Sequence, residues 1–475
     1  MGFGEQVNVL VVTLALQGHM NPMLKLSKLL VSKGLHVTLV TTELARHLML
    51  KSNINGAFNN TQQTTNTNSP AINLEFFSDG LSEDFNRDNN HDIFMEFLRT
   101  KGSENLSNLI TNLTTNGGKK FSCIICNPFI PWVAAVAAKH DIPCAMLWIQ
   151  ASAVFSIYYH FFKHPNLFPK SLDDPKETVE LPGLPILEVQ DLPSFILPSA
   201  PKSFNKMVSD IFSNVDKIKW VLGNSFNELE EDVINSLALT SSPILPIGPL
   251  VSPFLLGNEE KISGNIDMWS AEGSCIEWLD KKPTSSVIYI SFGSILVLSQ
   301  QQIDSIAIAL RNSKKPFLWV IKPPQKNSEK KCGELPIGFL EETKGRGLVV
   351  AWSPQEKVLI HKAVACFITH CGWNSTLETA SAGVPVIAYP EWTDQPTDAK
   401  LLVDVLKVGV RMRNDKDGVL SQKEVERCIM EVTDGPNAEK IRKRALELKE
   451  AAKKAVAPGG SSDKNIDQFI KEISV

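Results

Sequence analysis

The chain has 475 residues, which is too long for one ordinary hydrophobic core and predicts two or three domains. Its 48 Lys and Arg against 52 Asp and Glu give a net charge of −4, so we expect no nucleic-acid partner. With 43% hydrophobic and 21% charged residues, the composition is typical of a globular protein.

The first half of the chain alternates buried strands with helices. Residues 7–16 form an apolar run that is too short to span a bilayer and follows no basic region, so we expect neither a membrane span nor a signal peptide. Residues 22–32 have helical spacing, with Pro22 suited to a first turn, and HVTLVT at 36–41 is a second buried run. This order predicts parallel strands joined by a crossover. Two further strands are predicted at 122–125 and 145–149.

A second α/β series begins near residue 287. SVIYIS at 286–291 indicates a strand that ends in Phe-Gly-Ser, and residues 300–311 have helical spacing. Further strands are predicted at 316–322, 347–350, 365–369 and 384–389. We therefore predict an α/β protein with two Rossmann-like doubly wound domains, 1–245 and 276–457, joined by a linker at 246–275. Ligands bind by default in the cleft between two such sheets.

The clearest chemical pattern follows the predicted strand at 365–369. It reads His370-Cys-Gly-Trp-Asn-Ser-Thr376 and leads directly into a helix. A strand that turns through glycine into a helix exposes backbone N–H groups, which together with the helix dipole form an anion site. His370, Asn374 and Ser375 add donors suited to phosphate oxygens. The residues alone leave open a helix that is merely capped by Asn374 or Ser375.

The whole segment 352–395, WSPQEKVLIHKAVACFITHCGWNSTLETASAGVPVIAYPEWTDQ, resembles the donor-binding signature of plant family 1 glycosyltransferases, which use UDP-sugars. The similarity extends over nearly the whole chain, from the turn at His19 through the Phe-Gly-Ser turn to the tail. It implies a GT-B fold, with two domains facing across a cleft and the tail at 458–475 packing back toward the first domain. It also implies inverting transfer from UDP-glucose as co-substrate, without metal or cofactor.

The resemblance assigns donor-binding roles by position. Trp352 should stack on uracil, Glu378 should accept from the ribose hydroxyls, and the turn after residue 369 should hold the diphosphate. The final Gln395 favours glucose over galactose. The full donor-binding set comprises Ser294, Trp352, Gln355, His370, Trp373, Asn374, Ser375, Glu378, Trp392, Asp394 and Gln395.

The expected catalytic pair is His19 and Asn127. A phenol with a pKa near 10 needs a general base, and the resemblance gives His19 that role, although a histidine that only fills a turn is the simpler interpretation of the residues alone. Most relatives place an aspartate where this chain has Asn127, and an amide cannot balance the charge of an imidazolium. A carboxylic acid is already ionised at pH 7, so this departure favours an acceptor that forms a 1-O-acyl glucose ester. The segments 126–132 and 146–152 resemble the branch that glucosylates hydroxycinnamic, benzoic and gallic acids.

Two alternatives to an ester-forming enzyme stay open. The first is O- or C-glucosylation of a phenol or flavonoid, with Asp79 or Glu83 assisting His19. The second is a UDP-sugar-binding protein without catalysis, against which the presence of His19 argues. The weakest assignment is the acceptor pocket, for which we predict Phe129, Ile130, Trp148 and Gln150.

Other classes of site fit the sequence poorly. Asp415-Lys416-Asp417 has the spacing of a metal motif, but its polar, glycine-containing surroundings predict a solvated turn. Neither glycine turn has the GxGxxG spacing of a dinucleotide dehydrogenase. Eight scattered cysteines predict no disulfide framework, so we expect a cytoplasmic monomer whose partners are small molecules.

Overall fold

The computed structural model describes residues 6–52, 72–87, 90–258, 274–293, 296–321 and 333–474. Within these residues the chain forms two parallel sheets, each covered by helices on both faces. This is the two-domain α/β architecture of a GT-B fold, as predicted from the sequence. No helix in the described ranges combines the length and apolar character needed to cross a membrane.

The first sheet has the strand order β3-β2-β1-β4-β5-β8-β9, and its strands pair in parallel. Its strands are β1 Asn8–Val12, β2 His36–Thr42, β3 Ile72–Phe77, β4 Phe121–Cys126, β5 Cys144–Trp148, β8 Trp220–Gly223 and β9 Ile244–Pro246. A short antiparallel pair, β6 Thr178–Val179 and β7 Leu187–Glu188, lies apart from it. The helices are α1 Gln17–Ser32, α2 Glu43–Ser52, α3 His91–Phe97, α4 Ser103–Thr111, α5 Val133–Lys139, α6 Ser152–Lys163, α7 Lys202–Asn214 and α8 Asn227–Leu237.

The second sheet has the order β12-β11-β10-β13-β14-β15, again with parallel pairing. Its strands are β10 Val287–Ser291, β11 Phe317–Val320, β12 Gly347–Val350, β13 Val364–Thr369, β14 Val386–Ala388 and β15 Gly409–Arg411. The helices are α9 Ser274–Asp280, α10 Gln300–Ser313, α11 Phe339–Glu342, α12 Gln355–Leu359, α13 Trp373–Ala382, α14 Gln395–Lys400, α15 Gln422–Thr433, α16 Ala438–Val456 and α17 Ser461–Ile473.

The central strands are apolar throughout because both faces of each sheet are covered. In β1, Val9 and Val11 pack into one hydrophobic cluster, while Leu10 and Val12 pack into another on the opposite face. The carboxyl ends of β1 and β4 lie side by side in the first sheet, and those of β10 and β13 in the second. This register brings the turns after these strands to the edges where a cleft ligand would bind.

Helix α1 begins at Gln17, five residues before the predicted start, so Pro22 lies inside it and His19 belongs to its first turn. A proline inside a helix leaves the carbonyl four residues earlier without its N–H donor. Here that carbonyl is Gly18 O, and it accepts a hydrogen bond of 2.9 Å from Asn374 Nδ2 of the second domain. The predicted helix start was wrong, because the bond that compensates for Pro22 comes from the other side of the cleft and cannot be recognised in the local sequence.

The tail helix α17 lies against the first sheet. Phe469 is fully buried in the cluster that contains Val9 and Val11, and its ring meets Trp220 at 5.5 Å. Asn465 Nδ2 donates to the carbonyl of Pro246 at 2.7 Å. The segment between β9 and α9 includes residues 259–273, so much of the predicted linker lies outside the described residues.

Candidate active site

The turn between β13 and α13 presents uncapped backbone donors. Cys371 adopts a positive φ of 66°, uncommon for a residue with a side chain, and its N–H donates to Thr369 Oγ1 at 3.2 Å. The N-cap of the ten-residue α13 is Gly372, and no side chain caps its first turn. The capping alternative for Asn374 or Ser375 is therefore wrong, and the first N–H groups of α13 are free to meet an anion.

His370 lies between two glycines. A Cβ on Gly293, whose φ is +72°, would lie 2.7 Å from His370 Cε1, and a Cβ on Gly372 would lie 2.7 Å from Nε2. The close approach thus requires glycine on both sides of the ring. Burial lowers the pKa of His370 to about 4, because a charged imidazolium would lose its hydration there. His370 is therefore a neutral donor at pH 7.

The ribose end of the predicted donor site is already connected by hydrogen bonds. Gln355 Nε2 donates to Glu378 Oε2 at 2.7 Å and to Ser375 Oγ at 2.9 Å. Lys25 of α1 reaches across the cleft to Glu356 Oε1 at 2.8 Å and to Glu378 Oε1 at 3.8 Å. Burial and the neighbouring Glu356 raise the pKa of Glu378, while Lys25 opposes that rise. Lys25 thereby favours the ionised carboxylate that a ribose diol would require.

The sugar end of the predicted donor site combines one hydrogen-bond acceptor, Asp394, with one donor, Gln395. Gln395 Oε1 accepts from the backbone N–H of Glu391 at 3.0 Å and of Trp392 at 3.2 Å, which leaves its Nε2 free to donate to a hydroxyl. Asp394 is 7% exposed and accepts from Thr393 Oγ1 at 2.6 Å. A carboxylate beside an amide N–H₂ suits the paired hydroxyls of a hexose.

The side chains of His19 and Asn127, the predicted catalytic pair, lie in contact. The distance from His19 Nδ1 to Asn127 Oδ1 is 3.1 Å, and the half-buried imidazole ring packs edge-on against Phe129 at 4.8 Å. Phe129 N–H also donates to Asn127 Oδ1 at 3.1 Å, which identifies that atom as the oxygen. His19 Nδ1 must then carry the proton, and Nε2 keeps a free lone pair.

Known proteins share this architecture. A family model described as "UDP-glucoronosyl and UDP-glucosyl transferase" matches residues 271–445. UDP-glycosyltransferase 84B2 of Arabidopsis thaliana is 50% identical to this chain over 467 residues, covering 98% of the chain and 100% of that relative. The chain belongs to the plant family 1 UDP-glycosyltransferases.

Two further comparisons describe this glycosyltransferase. Gallate 1-beta-glucosyltransferase 84A24 of Punica granatum is 43% identical to it, over 100% of the chain and 90% of that relative. The crystal structure of Os79 from O. sativa in complex with UDP matches with a TM-score of 0.84 at 30% identity, over 98% of this chain and 100% of that one. The family resemblance and the GT-B fold predicted from the sequence are thus confirmed.

Three residues that were predicted to contact ligands of this glycosyltransferase stabilise its fold instead. Trp373 is 3% exposed, and its Nε1 donates to the carbonyl of Asn224 at 2.7 Å, so it joins the domains rather than facing a donor. Ile130 and Trp148 are fully buried in the core of the first domain, where Trp148 Nε1 donates to Ala151 O at 2.8 Å. Large apolar side chains at strand ends fill the core here, as they commonly do.

The other predicted residues occupy varied positions. Phe129 and Trp352 are half-buried, and Gln150 is buried close enough to Asp394 to lower the pKa of its carboxyl group. Trp392 packs against Phe195 of the first domain at 6.0 Å. Ser294 lies outside the described residues.

The two acidic candidates for assisting His19 are engaged elsewhere. Asp79 is 4% exposed and pairs with Arg87 at 2.9 Å, while Glu83 lies 3.6 Å from His47.

The apparent metal motif at 415–417 lies in an exposed turn, as predicted. Asp415 Oδ1 accepts the backbone N–H groups of Asp417 and Val419 there.

Sequence reasoning missed the contacts that close the cleft. Lys25 is separated from Glu356 by 331 positions, and nothing in its local pattern predicts that pair. Ser194 and Thr393 exchange two hydrogen bonds of 2.8 Å across the domains, from Ser194 N–H to Thr393 O and from Thr393 N–H to Ser194 Oγ. Thr393 lies in a strained turn, since its backbone φ is +60°.

Proposed function

We propose that this protein transfers glucose from UDP-glucose to an aromatic carboxylic acid, forming a 1-O-acyl glucose ester with inversion at the anomeric carbon. The observation that carries the proposal is the hydrogen bond between His19 and the amide oxygen of Asn127, where a carboxylate would make a stronger base. The gallate glucosyltransferase of Punica granatum, by its name, acts on a phenolic carboxylic acid. That name supports the same class of acceptor here.

The environment of His19 makes it a weak base. Burial lowers its pKa to about 4, and the hydrogen bond that its Nδ1–H donates to Asn127 Oδ1 only partly offsets this. A phenol has a pKa near 10, so proton transfer from a phenol to such an imidazole is strongly uphill. A carboxylic acid, with a reference pKa of about 4, is already ionised at pH 7 and needs no base.

A carboxylate acceptor changes the task of His19. The anion beside the ring favours its protonated form, so that Nε2–H donates to one carboxylate oxygen while the other faces the anomeric carbon. That second oxygen forms the new C–O bond as the bond from the anomeric carbon to the UDP oxygen breaks. Asn127 keeps the ring oriented throughout, because its oxygen also accepts the N–H of Phe129.

The charge that develops on the leaving diphosphate would be stabilised by protein groups. The free N–H groups at the start of α13 and the side chains of His370 and Ser375 lie together at the turn after β13. Donors held at a helix N-terminus stabilise an oxyanion without reorganisation. We propose that Trp352 stacks on uracil, Glu378 accepts from ribose, and Asp394 with Gln395 selects glucose. The seven cysteines of the described residues are buried and form no disulfide with one another, which supports a cytoplasmic enzyme; we propose that it acts as a monomer.

The chemistry of the product tests this proposal. A cinnamic acid that also bears a phenol is incubated with UDP-glucose, and the purified product is treated with mild alkali. An ester releases the free acid and glucose, whereas a phenolic glucoside survives. A product that survives alkali refutes ester formation while preserving glucosyl transfer, and the same incubation with UDP-galactose tests the preference assigned to Gln395.

A further inference from the structure

The carboxyl group of Asp398, in α14, is buried without any ordinary donor. The residue is 0% exposed, and neither side-chain oxygen has a hydrogen-bond donor within reach. No cation of the described ranges is paired with it in a way that would support an ionised carboxylate. The titratable groups that face it are Asp394 at the start of α14, Glu230 of α8, Tyr158 of α6 and the thiol of Cys371. A carboxylate in such surroundings would be very costly, so Asp398 is neutral.

Asp398 lies one helical turn after Asp394, because its backbone N–H donates to Asp394 O at 3.0 Å, so the two buried carboxyl groups lie on the same side of α14. Two neighbouring carboxyl groups can share a hydrogen bond only when one of them carries a proton. Asp394 has another donor, namely Thr393 Oγ1 at 2.6 Å. Asp398 has none, so the shared proton belongs to Asp398 and the negative charge to Asp394.

We propose that Asp398 is a positioning residue, a permanently protonated carboxylic acid whose O–H holds the Asp394 carboxylate in place for the glucose hydroxyls. This inference rests on the proposed function, because it assigns Asp394 to the sugar of the donor. A neutral donor orients Asp394 without neutralising it, so the carboxylate retains its full strength as a hydroxyl acceptor. A cation at position 398 would weaken that acceptor.

Two substitutions separate this role from simple packing. Asp398→Asn keeps a donor, since the amide N–H can replace the acid O–H, whereas Asp398→Leu has a similar size and no donor. Asp404→Leu is the matched control, because Asp404 is half-exposed at the next turn and pairs only with Lys400 among the contacts described. Binding of UDP and of UDP-glucose to each protein is measured by calorimetry without acceptor.

The expected result concerns the sugar alone. Asp398→Leu should weaken UDP-glucose binding by roughly ten- to a hundredfold, the loss expected for one charge-assisted hydrogen bond, and leave UDP binding within about twofold of wild type. Asp398→Asn and Asp404→Leu should keep the wild-type ratio of the two affinities. Equal weakening of both ligands by Asp398→Leu, or no weakening of either, overturns the proposal.

A second measurement applies even when Asp398→Leu does not fold. Burial raises the pKa of Asp398 well above its usual range, so the stabilisation from its proton is complete below the unfolded value near 4 and is lost as the pH rises. Between pH 5 and 8 the unfolding constant of wild type should therefore rise relative to that of Asp398→Asn, by up to about tenfold per pH unit. Parallel pH profiles would show that Asp398 holds no such proton and refute the inference.

These experiments also distinguish the inference from the proposed function. Wild-type protein that yields no glucose ester contradicts the proposed function, while the pH comparison of unfolding still tests the proton on Asp398. Conversely, a wild-type enzyme that makes the ester, together with an Asp398→Leu variant that binds UDP-glucose normally, contradicts the inference alone.

Discussion

Replacing Asn127 by aspartate should turn the weak base of this enzyme into a strong one. The variant places a full negative charge about one hydrogen-bond length from His19 Nδ1, since the present oxygen lies at 3.1 Å. With charge centres about 4 Å apart and an effective dielectric constant of about 20, the attraction to an imidazolium is about 4 kcal/mol. That energy corresponds to roughly a thousandfold increase in the proton affinity of His19.

The assay compares two acceptors under the same conditions. Turnover of a simple phenol with UDP-glucose should rise by roughly tenfold or more in Asn127→Asp, and by no more than the roughly 10²–10⁴-fold that a general base contributes. Turnover of a benzoic acid should change little, because that acceptor arrives without a proton to remove. The ratio of phenol to acid kcat/KM is therefore the quantity to measure, because it cancels any loss of folded enzyme.

The same substitution carries a cost in stability. Asn127 Nδ2 is fully buried and has no partner in the part of the chain that the structure describes, so the second carboxylate oxygen would occupy a site without a donor there. We expect a loss of roughly 1–3 kcal/mol in the free energy of unfolding. Asn224→Asp is a matched control, because Asn224 is equally buried, its Nδ2 is also unpartnered, and its Oδ1 accepts the Leu250 N–H at 2.8 Å. A phenol-to-acid ratio that stays at the wild-type value in Asn127→Asp, or rises equally in Asn224→Asp, would refute the reasoning about His19.

Three other changes have defined outcomes. Lys25→Met removes the cation that opposes the raised pKa of Glu378, so UDP affinity should fall by about tenfold at pH 6 and recover as the pH rises and the carboxylate ionises; a pH-independent loss in calorimetry would contradict this. Trp373→Phe removes a 2.7 Å hydrogen bond to a buried carbonyl of the first domain, so the free energy of unfolding in urea should fall by about 1–3 kcal/mol while the KM for UDP-glucose stays near wild type, and a change confined to KM would argue instead for donor contact. Gly293→Ala forces a Cβ to within 2.7 Å of the His370 ring at a backbone φ of +72°, so the KM for UDP-glucose should rise several-fold, and unchanged kinetics would show that the ring needs no such space.

Local sequence patterns predicted much of the fold and part of the candidate site. The apolar runs that became β1, β10 and β13 are recognisable because parallel strands covered on both faces need no polar alternation. The segment 352–395 is specific because a strand, a glycine turn and a helix must follow one another to build a diphosphate site. The pairing of His19 with Asn127 followed from the resemblance, and the structure brings the two together at 3.1 Å.

Other assignments failed for tertiary reasons. An isolated tryptophan in a donor motif gives no sign of which way it faces, and Trp373 points into the joint between the domains. The start of α1 was misplaced because Pro22 normally marks a first turn, and the bond that compensates for it comes from Asn374. The predicted acceptor residues Ile130 and Trp148 fill the core, since strand ends serve packing as often as binding.

The sequence by itself therefore determined the fold class, the family and the position of the turn that we propose holds the diphosphate, because each depends on residues that are near neighbours in the chain. The tertiary structure decided which charges meet across the cleft. Lys25 reaches Glu378 from another domain, and the pKa of Asp398 is raised by burial, by Asp394 and by Glu230 of α8. Such contacts depend on how two separately folded sheets pack together, and burial then sets the protonation state of each group.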